Sequence, residues 1–265
     1  MFAQRIVCLT EETTETLYML GEDRRIVGIS GFTVRPARAR KEKPRVSAFT
    51  SAKFDQILAL RPDLVLGFSD LQADLAAELI RRGMQVHVFN QRSIAEILVM
   101  IRTLGALVGA QAKSAALVDR LVSGLGIIRE SAARLPRRPR VYFEEWDEPM
   151  ISGIRWVSEL IDIAGGVDCF PELAREPLAK NRIISDPLAV PERAPDLIFG
   201  SWCGRKFRPE RVAARPGWNA VPAIREHEIH EIKSPLILQP GPAALTDGVQ
   251  AMHARILAWG VAQGA

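Results

Sequence analysis

The run Glu144-Glu145-Trp146-Asp147 holds the densest group of potentially reactive side chains in this chain. Neighbouring carboxylates can do acid–base work when one is kept protonated and another ionised. Such work needs a companion nucleophile, histidine or metal, and no nucleophile elbow or His-Glu-x-x-His helix accompanies these acids. His227 and His230 are three apart on a predicted strand, which sends them to opposite faces and keeps them from sharing one metal. His87 alternates with Val86 and Val88 and is expected to be exposed or capping. The acids therefore read as cleft polarity or helix capping. No catalytic residue and no metal centre is expected, and non-catalytic binding is the better reading.

Binding chemistry is available elsewhere. Phe32, Phe49, Phe68, Trp146, Trp156 and Trp202 fall in or beside loops that follow predicted strands. Flat rings in such loops can pack on a macrocycle or an aromatic chelator; the alternative for each ring is ordinary core. Arg155, Lys180, Arg182, Arg205 and Lys206 lie in loops of the second half. They can hold an anionic ligand by charge-assisted hydrogen bonds, or they are solvated surface. Cys203 can ligate a soft metal, or fill a small buried space. The basic run Arg35 to Arg45 is a solvated stretch or an anion-facing rim.

The elements that position these residues alternate. Arg5–Leu9 reads as a buried strand, Thr10–Thr14 as a polar loop, and Glu15–Leu20 as a helix ended by Gly21. Strands follow at 26–29, 64–66 and 86–89, with helices at 54–60 and 71–82. Ser93 to Leu135 is helical and free of proline, with a break near Gly109. At ~1.5 Å per residue its second part would reach ~35 Å, enough for a strut between two lobes. The pattern then restarts with a strand at 140–143, a helix at 157–164, a strand at 229–232 and a closing helix at 243–259. Arg61-Pro-Asp-Leu-Val-Leu-Gly67 recurs as Ala194-Pro-Asp-Leu-Ile-Phe-Gly200, which suggests lobes of related topology. The expected division is an N-terminal α/β lobe at 1–92, a helical segment with the bridging helix at 93–136, and a C-terminal α/β lobe at 137–265. The fold class is α/β, with mainly parallel sheets and a ligand cleft between the lobes.

Bulk properties agree with a binding protein. A net charge of +4, spread along the chain, gives no nucleic-acid footprint. No eighteen-residue apolar stretch provides a membrane span. Cys8, Cys169 and Cys203 form no CxxC pair and suggest no disulfide scaffold. The strand beginning at residue 5 leaves no room for a leader, so the expected location is cytoplasmic as the sequence stands, and periplasmic if a leader precedes it.

The order of elements resembles substrate-binding proteins of ABC transporters of the cobalamin and iron-siderophore type, whose two lobes are bridged by one helix. The likeness is carried by Thr14-Glu-Thr-Leu-Tyr-Met-Leu-Gly21, Arg25-Ile-Val-Gly28, Asp55-Gln-Ile-Leu-Ala-Leu-Arg-Pro-Asp-Leu-Val65 and Glu159-Leu-Ile-Asp-Ile-Ala-Gly-Gly166. Glu144-Glu-Trp146, Trp202-Cys-Gly204 and Lys233-Ser-Pro-Leu-Ile-Leu-Gln-Pro-Gly241 bring it nearest to members that bind cobalamin. The resemblance implies a monomer that binds cobalamin or another corrinoid as ligand, with no covalently required cofactor, for uptake through an ABC permease. It implies ligand contacts at Phe49, Phe68 and Met150, and permease docking at Asp55 with Asp186 as the second-lobe carboxylate. Its alternatives are binding of a ferric siderophore or haem, and a cytoplasmic corrinoid-handling or sensing role without a transporter.

Overall fold

The structure is a computed structural model and describes residues 2–263. The chain forms two compact units: up to Gln91 with 95–121 and 240–242, and 92–94 with 122–239 and everything described from 243 onward.

In the first unit the apolar run Ile6–Cys8 becomes β1, wholly buried. It is followed by α1 (Glu11–Met19), β2 (Ile26–Ser30), α2 (Ala39–Glu42) and β3 (Arg45–Ser47). Then come α3 (Phe54–Ala59), β4 (Leu64–Phe68), α4 (Ala73–Arg81) and β5 (Val86–Phe89). The strands are all parallel, in the order β3-β2-β1-β4-β5. Each return to a parallel strand needs a crossover, and the intervening helices supply it. Val7, Leu9, Val46, Ile57, Val65 and Leu79 close one side of this core. Helices α5 (Ile94–Leu107) and α6 (Gln111–Ala132) follow; α6 contributes residues to both units, with the division after Leu121.

The second unit contains β6 (Arg140–Asp147), β7 (Met150–Ser152), α7 (Arg155–Ala164), β8 (Val167–Asp168) and α8 (Ala189–Arg193). It continues with β9 (Leu197–Gly200), α9 (Pro209–Ala213), α10 (Pro222–Arg225), β10 (Ile229–Glu231) and α11 (Ser234–Ile237). A π-helical turn, Ala244–Gly248, leads into α12 (Val249–Gln263). The sheet order is β10-β9-β6-β7, with β8 pairing the start of β6. All pairs are parallel except β6–β7. Tyr142, Phe170, Ile198, Trp202, Phe207 and Trp218 anchor its core. All five tryptophans of the chain lie in this unit.

The repeated Pro-Asp motif does the same work in both units. Asp63 accepts the backbone N–H groups of Gln4 and Arg5 at 2.8 and 2.9 Å, and its own N–H donates to the Arg5 carbonyl. Asp196 accepts the N–H of Arg140 at 2.7 Å, and its N–H donates to the Arg140 carbonyl. In each case the aspartate clamps the entry of the central strand, β1 or β6, to the strand that follows the motif. The residue before each proline, Arg61 or Ala194, takes a left-handed conformation with φ of 47° or 43°.

Several expectations need correction. Thr10–Thr14 is no loop: α1 begins at Glu11, and Thr14 and Thr16 hydroxyls donate to the carbonyls four residues back at 3.1 and 2.7 Å. Such bonds satisfy buried hydroxyls inside a helix. The strand expected to end at Phe143 runs on to Asp147 and turns into β7 as an antiparallel hairpin. His227 lies outside β10 with φ 60°, so the opposite-face argument does not apply to it. His87 is neither exposed nor capping: it is half-buried, its ring 4.3 Å from that of Phe89. The closing helix proper starts at Val249, six residues later than expected from 243.

Candidate functional site at the strand ends

In a parallel sheet, ligands gather beyond the carboxyl ends of the strands, at the point where the strand order reverses. In the first unit that place is the end of β1, whose neighbours β2 and β4 lie on either side. The chain puts Thr10, Glu11 and Glu12 there, all buried. The Thr10 hydroxyl donates to Glu12 Oε1 at 2.6 Å, while the second oxygens of Glu11 and Glu12 have no hydrogen-bond partner among the described residues. Burial, more than the neighbouring charge, pushes both carboxyls up to about 7. Glu15 is different: it is ion-paired with Arg35 at 2.7 Å. The Pro240–Pro242 segment covers Glu12. Gly241 is required there, since a Cβ would stand 2.5 Å from Glu12 Cβ, and Gln91 anchors the segment by donating to the Pro240 carbonyl at 2.9 Å.

In the second unit the central strand is β6, and its carboxyl end also carries acids. Here every one has a guanidinium. Glu144 is fully buried and takes both terminal nitrogens of Arg215, along with the indole N–H of Trp202 at 3.0 Å and the Tyr142 hydroxyl at 2.9 Å. Burial opposes the charge on Arg215, but the Glu144 carboxylate outweighs it and holds the guanidinium above its ordinary range. Burial, reinforced by Glu144, drives the Tyr142 phenol well above its usual value, so it stays a donor. Glu145 takes both terminal nitrogens of Arg182 at 2.6 and 3.1 Å. Asp147 is bridged by Arg205 at 2.8 Å and Arg211 at 3.4 Å. Arg205 also lies over the Trp146 ring, 5.2 Å from its centroid. These acids neither cap helices nor stand as a free acid–base pair; they form a neutralised network. Beside it is a pocket of about 590 Å³ lined by Asp147, Met150, Asp186, Leu188, Arg211 and Arg215.

The residues singled out from sequence divide by burial. Phe32, just after β2, is 54 % exposed, and Phe49, just after β3, is half-buried. Trp146 is half-buried in β6 with its indole donating to the Glu148 carbonyl at 2.9 Å. Arg155 is exposed at the start of α7 and ion-paired with Glu159. Cys203 is exposed and in no disulfide. The others turn inward. Phe68 ends β4 at 6 % exposure, with its N–H held by Gln72. Met150 and Trp202 join the apolar core, and Trp156, also buried, donates to the Ile237 carbonyl at 2.9 Å. Arg182, placed by sequence among loop cations, is 1 % exposed. Of the two carboxylates expected to dock a permease, Asp55 is exposed and paired with Arg82 at 3.2 Å, and Asp186 is exposed and accepts the Leu188 N–H at 2.9 Å. The other two cysteines, Cys8 and Cys169, are buried, and burial pushes both thiols up to about 12, which keeps them unreactive.

Sequence reasoning did not single out Glu11, Glu12, Arg211 or Arg215. The acids at the head of α1 carried a usable signal, since they directly follow a buried strand. Arg215 carried none, because its partner is 71 residues away.

Known proteins share this architecture. The uncharacterized ABC transporter substrate-binding lipoprotein YvrC of Bacillus subtilis is 24% identical over 256 residues, covering 93% of this chain and 78% of its own. The vitamin B12-binding protein of Vibrio parahaemolyticus is 22% identical over 245 residues, covering 91% and 86%. Among solved structures, the periplasmic heme-binding protein RhuT from Roseiflexus superposes with a TM-score of 0.79 at 22% identity, over 96% of this chain and 99% of that one. Residues 6–236 match the family described as periplasmic binding protein, and the chain belongs to that family.

Proposed function

We propose that this protein binds a corrinoid, or a related metal complex, without transforming it, and presents it to an ABC permease. The reading rests above all on the rings left uncovered at the strand ends, Phe32 at 54 % exposure with Phe49 and Trp146 half-buried. A large planar ligand gains contact area with defined geometry from such rings. The likeness to a vitamin B12-binding relative supports the corrinoid, and the likeness to a haem-binding structure makes haem the first competitor. Trp202 and Arg182 then act as supports: they hold Glu144 and Glu145, and through β6 the position of Trp146.

Titration calorimetry with cyanocobalamin, dicyanocobinamide, haemin and a ferric siderophore tests this reading. One corrinoid per chain is expected. Phe49→Ala and Trp146→Ala should each weaken binding by about 1–3 kcal/mol, and Trp146→Ala should also lower the melting temperature, because that ring packs on the core of the second unit. Heat with haemin or the siderophore and none with either corrinoid would reassign the ligand.

A further inference from the structure

We propose a second binding site, for a compact polyphosphate-type anion, along the edge strand β3 of the first unit. The observation is a pocket of about 630 Å³ lined by Arg40, Lys43, Arg45, Ser47 and Lys53, with Gly31 at its inner wall and no acidic residue among its lining. Arg40 belongs to α2, Lys43 and Arg45 bracket Pro44 at the entry to β3, and Lys53 precedes α3. The backbone builds the frame. Gly31 donates to the Ser47 carbonyl at 2.7 Å, Ala48 to that of Ser51 at 2.8 Å, and Lys53 to that of Val46 at 2.8 Å. Ser47 and Ala52 close an antiparallel bridge across the resulting turn.

Two features separate this cluster from an ordinary solvated charge run. In the same basic stretch Arg35 pairs with Glu15, and Arg38 with Asp23 and Glu42. The four cations that line the pocket have no ion-pair partner within 4.0 Å among the described residues. Glu15, Asp23 and Glu42 thus go to Arg35 and Arg38, and Glu11, which lies within electrostatic range of Arg40, makes no ion pair with it among the described residues, so four cations line one hollow. Second, Ser47 is 8 % exposed, lines the pocket, and its hydroxyl has no hydrogen-bond partner among the described residues. A buried hydroxyl costs stability unless something accepts from it or donates to it. An anion oxygen in the pocket would accept its proton.

The chemistry of the lining selects the ligand. Four cations exceed what a single carboxylate or phosphomonoester would balance. The lining offers no aromatic ring, so the anion end of the ligand is what is recognised. Pyrophosphate or triphosphate groups fit: they combine several charges with many acceptor oxygens, which lysine and arginine engage by charge-assisted hydrogen bonds. The site does not depend on the identity of the ligand proposed above.

Calorimetry on the full chain at low ionic strength, with pyrophosphate, tripolyphosphate, ATP, citrate and sulfate as probes, tests it. One tripolyphosphate per chain is expected, bound at least about tenfold tighter than sulfate, with affinity falling as salt is added. Lys43→Gln and Arg45→Gln should each weaken binding by about tenfold, and Ser47→Ala by roughly fivefold. Lys41→Gln, an exposed cation of the same stretch outside the lining, should change it less than twofold. ATP binding as tightly as tripolyphosphate would identify the phosphate tail of a nucleotide as the recognised group, and weaker ATP binding would identify the free anion. Failure of every probe to bind, or equal weakening by Lys41→Gln and Lys43→Gln, would overturn the site and leave diffuse surface charge.

Discussion

The carboxyl ends of β1 and β6 hold equivalent positions in two sheets of related order, and both carry glutamates, yet the two settings solve charge burial in opposite ways. Glu144 and Glu145 are each paired with a guanidinium, of Arg215 and Arg182. Glu11 and Glu12 have no guanidinium within ion-pair distance among the described residues, and burial raises both to about 7. A buried acid can keep its charge by acquiring a partner or lose its charge by holding a proton. The second unit takes the first course and the first unit the second. The two ends of the same topology therefore respond differently to mutation and to pH.

The largest effect is expected from removing a partner. Arg215→Ala leaves Glu144 at 0 % exposure without its cation, and should lower unfolding free energy by about 3–5 kcal/mol. Adding Glu144→Gln to it should return part of the loss. Urea denaturation measures both, and a cost below about 1 kcal/mol for Arg215→Ala would break the contrast between the units.

The protonated pair predicts a pH window. Glu11 and Glu12 titrate near 7 in the folded chain against an ordinary 4.5, so the folded state keeps protons that the unfolded state has released. Their contribution is fully present below pH 4.5 and lost as pH rises through 7, at about 1.4 kcal/mol per pH unit for each group. Melting temperatures taken from pH 5 to 8 should show this fall. Glu12→Gln should remove about half of the slope, and an unchanged slope would mean that these carboxyls are ionised when folded.

A smaller effect separates the two Pro-Asp clamps. Asp196 is buried and also holds Arg137 at 2.8 Å, whereas Asp63 is exposed. Asp196→Ala should cost about 2–3 kcal/mol and Asp63→Ala about 1–2. Equal costs would show that the backbone bonds alone matter. At the bottom of the scale, Asp55→Ala breaks only the exposed contact with Arg82 and should change stability by less than about 0.5 kcal/mol. Any loss of transport in that variant would then report docking rather than folding.

What could be read from sequence follows the range of the interactions involved. The strand Val86–Phe89 and the clamp motifs were legible because apolar runs and Pro-Asp turns act locally. The start of α1 was not: Thr13, Thr14 and Thr16 have low helix propensity, although Glu11 and Glu12 favour a first helical turn. The β6–β7 hairpin was missed because Asp147-Glu148-Pro149 lacks the Asn-Gly or Asp-Gly pair that signals a tight turn. Arg182 looked like surface because its partner, Glu145, is 37 residues distant, and a cation's burial is decided by such partners rather than by its neighbours in sequence. Among the aromatic candidates, the ring type was legible but its direction was not. Phe32 and Trp202 sit after strands in the same way, and one faces outward while the other is 3 % exposed.

The confinement of all five tryptophans to the second unit gives the molecule a one-sided optical response. Intrinsic fluorescence on excitation at the red edge follows that unit alone, and the first unit unfolds almost unseen, with Tyr18 as its one described phenol. A denaturation trace at tryptophan wavelengths and one from far-ultraviolet circular dichroism therefore weigh the two units differently. Where the traces separate, the gap between them times the melting of the first unit, with no label attached.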